Sequence, residues 1–391
     1  MTNRLGSKHV LRIPVLLVLT AAMLMSGCSS DGTASATKDT KSDVEGVRRL
    51  SDNAADADYS VRGSVNQVSA TGAEKGVRLG LYDDKGRAVA TEVSDKQGSV
   101  LFRLVDPGKY RIGTTEGKEL ASKAVEVVSA EDSLPEQSFY SDQKLVKGFQ
   151  YITTRDGTTL STLVTLPGPI ENGPYPTVVE YSGYSPSKTP TNLLADRWDD
   201  IKKSLPGDLT LDDVCAIATF ACEAPDQPSS LIASALGYAV VSVNMRGTGC
   251  SGGAYDFFEP LQVLDGYDVV ETAAAQPWVL NNKVGMVGLS YPGISQLFVA
   301  AENPPSLAAI APLSVYDDTA RGVLAPGGIF NEGFALTWAK SVLDSAKPYG
   351  QEWTKDVVKD GDEECADNQL LRDQNVDAVS KAKNYPYYDH E

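Results

Sequence analysis

The chain has 391 residues, 42% of them hydrophobic, which is enough apolar material to bury the cores of more than one domain. Its formal net charge is −17. So acidic a body repels a phosphate backbone and argues against nucleic acid as a partner.

Along the chain, a basic start (Arg4, Lys8, Arg12) precedes an apolar run over residues 13–25 that closes on Ser26-Gly27-Cys28, the layout of an export signal. A small-residue pair directly before a cysteine is the pattern of bacterial lipoprotein signals. Residues 1–28 are therefore expected to be a lipoprotein leader and Cys28 its acylated residue, holding the protein outside the cytoplasm on the membrane through its lipid. The alternatives are an ordinary signal peptide with an incidental cysteine, or a short membrane helix, for which the run falls short of the ~20 residues needed. Residues 29–58 are rich in Ser, Thr, Ala, Asp and Lys with little to bury, and read as a flexible tether.

Over residues 59–140 short alternating runs (77–82, 88–93, 100–104, 110–112) are separated by turn sequences such as Asp83-Asp84-Lys85-Gly86 and Asp106-Pro107-Gly108. This spacing predicts a small antiparallel β-sandwich. The segments Ser94-Asp95-Lys96-Gln97-Gly98 and Asp106-Pro107-Gly108-Lys109-Tyr110 resemble those of prealbumin-like modules, which implies a spacer or stability role.

From about residue 145 apolar strand-like runs alternate with helical ones, the pattern of a parallel sheet covered by helices. Strands are expected at 160–166, 177–181, 239–244, 284–288 and 307–313, helices at 264–275 and 293–302. The fold class is therefore α/β, a core over 145–316 followed by a helical cap over 317–391. Cys215, Cys222, Cys250 and Cys365 are an even number in an oxidising compartment and predict two disulfides, with three pairings open. No cysteine pair has the spacing of a zinc site and the only histidines are His9 and His390, so neither metal nor other cofactor is expected.

The stretch Val284-Gly285-Met286-Val287-Gly288-Leu289-Ser290-Tyr291-Pro292-Gly293 joins an apolar strand, a sharp turn bearing serine and a helix start, which describes a nucleophile elbow. Gly288 and Gly293 would let strand and helix pass closely beneath a strained Ser290. The Tyr291 backbone N–H would lie where negative charge develops on a carbonyl oxygen, and Pro292 would occupy the first helical turn.

Arg246-Gly247-Thr248-Gly249-Cys250-Ser251-Gly252-Gly253, Asp265-Gly266-Tyr267-Asp268 and Ala275-Gln276-Pro277-Trp278, followed by Gly288-Leu289-Ser290-Tyr291-Pro292-Gly293, resemble in this order the X-prolyl dipeptidyl-peptidase and cocaine-esterase family of α/β-hydrolases. The resemblance covers about residues 145–391. It implies acyl-enzyme chemistry on a small ester or X-Pro peptide substrate, with Ser290 as nucleophile. It also implies a tyrosine hydroxyl in the oxyanion hole, matched here by Tyr184 in Glu180-Tyr181-Ser182-Gly183-Tyr184, with Tyr181 as the fallback and Gly183 departing from the family's usual proline. Arg246, Asp265 and Asp268 read as structural. Phe330, Phe334 and Trp338 recur at helical spacing and read as packing, or as an aromatic wall for an acyl group.

Such an enzyme also needs an acid and a histidine after the serine. His390, the penultimate residue, is not expected to be the base, and Asp317 and Asp318 read as cap-entry residues. The expectation is an N-terminal piece of a hydrolase, its last strands and triad partners absent, with little activity of its own. The rival is a lipid-anchored surface binding protein that keeps the hydrolase fold without its chemistry. Ester against peptide substrate and the oligomeric state stay open.

Overall fold

Short alternating runs and Asx turns build the first part of the chain, as seen in a computed structural model that describes residues 44–195, 198–204, 207 and 209–376. The expected leader with Cys28, the first part of the expected tether, and residues 377–391 with His390 lie outside the described residues. Strands β1 (Ala55–Asp56), β8 (Leu120–Ala121), β7 (Gly108–Thr114), β4 (Arg78–Tyr82) and β5 (Ala88–Val93) form one sheet in that order, with β9 (Val125–Val127) also on β7. A second sheet holds β2 (Ser60–Gly63), β3 (Gln67–Thr71) and β6 (Val100–Arg103). Between them lie Val68, Leu79, Leu81, Phe102, Tyr110 and Ile112. The turns form because Asp83 and Asp95 each accept two downstream amides on one carboxylate oxygen, the local bond that makes Asp a turn residue.

A one-turn helix, α1 (Gln137–Ser141), leads into a six-stranded sheet of β10 (Gly148–Thr153), β11 (Thr159–Thr165), β13 (Ala239–Asn244), β12 (Tyr175–Ser182), β14 (Val279–Leu289) and β15 (Leu307–Leu313), in that spatial order. The β10–β11 and β11–β13 pairs are antiparallel, and β13, β12, β14 and β15 are mutually parallel. Central strands with apolar residues on both faces require cover on both. On one face Val178 and Val240 meet Ala233 of α5 (Pro228–Ala235). On the other, Val179, Tyr181, Val241 and Val243 join Val269 and Val270 of α6 (Pro260–Ala274) and Val299 of α7 (Tyr291–Ala301). This is the α/β-hydrolase core, preceded by its small all-β sandwich.

Between β12 and β13 run α2 (Trp198–Lys202), α3 (Leu211–Ile217) and α4 (Thr219–Cys222), the last two tied by the Cys215–Cys222 disulfide. After β15 come α8 (Phe334–Ala346), α9 (Trp353–Lys359) and α10 (Glu363–Asp367). A second disulfide, Cys250–Cys365, fastens α10 to the loop after β13. Three differences from the sequence reading are instructive. Strand β14 starts at Val279 rather than 284, because Asn281 and Asn282 take positive φ and shift its register against β12. Helix α6 starts at Pro260, whose missing N–H suits a first turn. Strands β2, β3, β9 and β10 are too short or too polar to stand out as apolar runs.

Candidate active site

At the end of β14 the chain turns directly into α7, and Ser290 is the turn: it adopts φ 67° and ψ −119°, a positive-φ conformation costly for a residue with a side chain. The surroundings impose it. Ser290 N–H donates to the Leu313 carbonyl of β15 at 2.8 Å, while its own carbonyl accepts from Gly293 and Ile294 at 2.8 and 2.9 Å. Gly288 and Gly293 make the crossing possible, since a Cβ on either would come within 2.5 Å of the Pro292 backbone or the Leu313 carbonyl oxygen. Tyr291 is the first helical residue, so its amide has no acceptor within α7 and is available to a ligand.

Tyr184 enters from the loop after β12. Its Oη is 3.4 Å from Ser290 Oγ, at the outer limit of a hydrogen bond, and accepts from Trp338 Nε1 at 3.0 Å. Its backbone is fixed at both ends: Tyr184 N–H donates to Ser182 Oγ, and the carbonyl accepts from Asn244 Nδ2 and Gln351 Nε2, both at 2.7 Å. The Tyr184 and Tyr291 rings meet edge to face at 5.6 Å, and Trp338 meets Tyr291 at 5.5 Å and 90°. The Tyr291 side chain is fully buried, its hydroxyl 2.6 Å from that of Tyr255, and burial raises both phenols above the ordinary tyrosine range.

Of the residues singled out from the sequence, Ser290, Tyr184 and Tyr291 are thus brought together. The fallback Tyr181 is not: it is buried and donates to the Gln262 carbonyl at 2.8 Å, facing α6. Arg246 grips Asp265 through two bonds of 2.7 and 2.8 Å and Asp156 through two of 3.0 Å, all buried. Asp268 accepts from Arg155 and the Tyr140 hydroxyl. These bonds tie the β10–β11 turn and the segment after β13 to α6, and none of them is to Ser290. Asp318 accepts the Arg321 amide in the turn after β15. Phe334 is exposed, so of the three aromatics at helical spacing Trp338 is the one seated on Tyr184 and Tyr291. Sequence reasoning missed Asn244, Tyr255 and Gln351 as partners of the site, and named Trp338 only as packing or an acyl-group wall, without its bond to Tyr184. Asn244, a polar residue closing an apolar strand, was the one visible signal.

A sequence profile for X-Pro dipeptidyl-peptidase (S15 family) matches residues 156–390. A protein of Mycobacterium bovis named as a serine esterase is 35% identical over 107 residues, 27% of this chain and 17% of that protein, and its Mycobacterium tuberculosis counterpart gives the same figures. Among solved structures, a CocE/NonD family hydrolase from Staphylococcus aureus is similar at 24% identity and a TM-score of 0.42, over 61% of this chain and 36% of that one. An α-amino acid ester hydrolase is similar at 22% identity and a TM-score of 0.34, over 50% of this chain and 29% of that one. The chain therefore spans well under half the length of these relatives.

Proposed function

The chain belongs to the X-Pro dipeptidyl-peptidase family, and on that premise we propose that it acts as a serine hydrolase on an ester or X-Pro peptide bond, with Ser290 as nucleophile. Ser290 Oγ attacks the carbonyl carbon while its proton passes to a base. The oxyanion so formed is held by the Tyr291 amide and the Tyr184 hydroxyl. Collapse expels the alcohol or amine, which takes the proton back, and water releases the acyl group from Ser290. Among the described residues there is no histidine. A histidine base would therefore be supplied from outside them, together with an acid placed to orient it.

One observation carries this reading: a serine with φ 67° at a strand-to-helix turn, 3.4 Å from a tyrosine hydroxyl that is itself anchored. Strain of this kind is retained where the surrounding structure enforces it and a function uses it. Support for the extracytoplasmic, lipid-anchored placement comes from the sequence: the basic start, the apolar run and the Ser26-Gly27-Cys28 pattern.

The test is labelling, with a fluorophosphonate probe, of the folded protein in a form long enough to carry the base and acid, beside Ser290→Ala and beside the present chain, which should label little. Ser290-dependent labelling of the longer form is expected, in the membrane fraction, with Cys28→Ser moving the labelled protein to the soluble fraction. A folded longer form that takes no label favours the rival, a surface binding protein that keeps the fold without the chemistry. Label that stays in the membrane after Cys28→Ser removes the lipid assignment.

A further inference from the structure

The oxyanion role given to Tyr184 depends on where its one hydroxyl proton points. A phenol has a single O–H donor and two acceptor lone pairs, and its proton rotates about the C–O bond to suit its neighbours. Indole nitrogen is a donor only. In the 3.0 Å contact between Trp338 Nε1 and Tyr184 Oη, Trp338 must therefore donate and Tyr184 must accept. The hydroxyl proton is left for the remaining neighbour, Ser290 Oγ at 3.4 Å, and for any oxygen that develops charge beside it.

The indole is well held for this task. Its ring stands at 90° to Tyr291 and lies 5.5 Å from Phe257, and α8 carries it at a half-buried position. Accepting a bond at oxygen also strengthens that hydroxyl as a donor, because linked hydrogen bonds polarise one another. Residue Gln351, from the same post-β15 region, clamps the Tyr184 carbonyl. The region after β15 thus reaches the oxyanion site twice, once through the hydroxyl and once through the main chain.

We propose that Trp338 is a positioning residue, which commits and polarises the Tyr184 hydroxyl proton toward the reacting oxygen, so that the helical region after β15 completes the oxyanion hole. This rests on the serine-hydrolase reading of Ser290 and Tyr184.

The test is a cycle of second-order rate constants for fluorophosphonate labelling of the protein in a form that carries the base and acid, in wild type, Tyr184→Phe, Trp338→Phe and the double variant, with unfolding midpoints measured alongside. Tyr184→Phe is expected to slow labelling roughly 100-fold, the loss of one oxyanion donor. Trp338→Phe is expected to slow it about fivefold, in keeping with one neutral hydrogen bond. In the Tyr184→Phe background the same change should have less than a twofold effect, because no hydroxyl remains to orient. Benzothienylalanine at 338, an indole isostere without N–H, should reproduce the Trp338→Phe loss with packing intact. A fivefold loss that persists without the Tyr184 hydroxyl overturns the proposal in favour of plain packing, as does full activity of the isostere. If Tyr184→Phe itself labels at the wild-type rate, or Ser290 takes no label, the underlying hydrolase reading has failed and this inference falls with it.

Discussion

Gly183 shows how tightly single residues are constrained beside Ser290. A Cβ at 183 would stand 2.0 Å from Tyr291 Cε1 and 2.9 Å from Cδ1. The Tyr291 ring has nowhere to retreat, since its hydroxyl is bound to Tyr255 and its faces and edges meet Phe258 at 4.9 Å and Trp338 at 5.5 Å. The glycine that looked like a departure from the family pattern is the space in which this ring sits. Gly183→Ala should therefore destabilise the protein by ~2 kcal/mol, the usual scale of overpacking, and slow Ser290 labelling at least about tenfold by displacing Tyr184. Denaturant unfolding and probe kinetics on the same preparation check both. Wild-type stability with wild-type labelling would mean that Tyr291 can move and that the aromatic cluster is looser than its contacts indicate.

At the scale of elements, α5 and the central strand β12 are joined by a buried carboxylate. Glu180 Oε2 accepts from Ser230 Oγ at 2.5 Å, and Ser230 in turn lies 3.1 Å from Ser242 on β13. Burial raises Glu180 to about 7, with the Ser230 bonds opposing. The unfolded chain, near 4.5, loses this proton first, so between those pH values the native state holds more protons and stability falls as pH rises. The loss is complete above about pH 7 and amounts to something on the order of 3 kcal/mol. Glu180→Gln should remove it: the stability advantage of the variant over wild type should grow by that order between pH 4 and pH 8. A difference that stays flat with pH would mean that the carboxylate remains ionised and hydrated beneath α5. The same scale shows what could be read from the sequence. Strands β13 and β15 and helix α7 are legible within a residue or two because each is a long apolar run or a motif with fixed geometry. Ser290 is legible because the elbow needs small residues at fixed offsets, and Tyr184 through the family pattern. The Trp338 and Gln351 contacts join residues 154 and 167 positions apart, and no local spacing encodes them. Polar strand segments such as Asn281-Asn282 and β3 hide for a similar reason: their pairing is decided by neighbours far along the chain.

At the scale of the whole described unit, the β-sandwich is stitched to the hydrolase core and is not a loose spacer. Ser64 Oγ donates to Asp156 Oδ2 at 2.5 Å, Arg62 to Thr158 Oγ1 at 2.9 Å and Gln67 to Glu259 at 2.9 Å. Arg103 reaches the carbonyls of Gln374 and Tyr255, and Gln374 returns bonds to Asp95 and Ser99. Tyr255 is the residue whose hydroxyl meets Tyr291, so the sandwich bears on the loop that supports the elbow. Asp156 is the centre of the seam. Burial alone would raise its carboxyl, but Arg246 and Arg62 hold it well below the usual carboxylate range. A group held low contributes stability above the unfolded pKa and loses it only in acid. Asp156→Asn keeps the shape and removes the charge, which leaves Arg246 short of one of its two carboxylates while Asp265 remains. Breaking a buried pair of this kind costs ~3 kcal/mol or more, and the cost should vanish toward low pH, where wild type also loses the charge. Hydrogen exchange adds the spatial half of the test. In Asp156→Asn, protection should fall first along β2 and the β10–β11 turn, with the central strands β12 and β13 unchanged. Uniform loss across the sheet would instead make Asp156 a support of the core alone, with the sandwich held by its apolar contacts at Val65, Leu261 and Leu264.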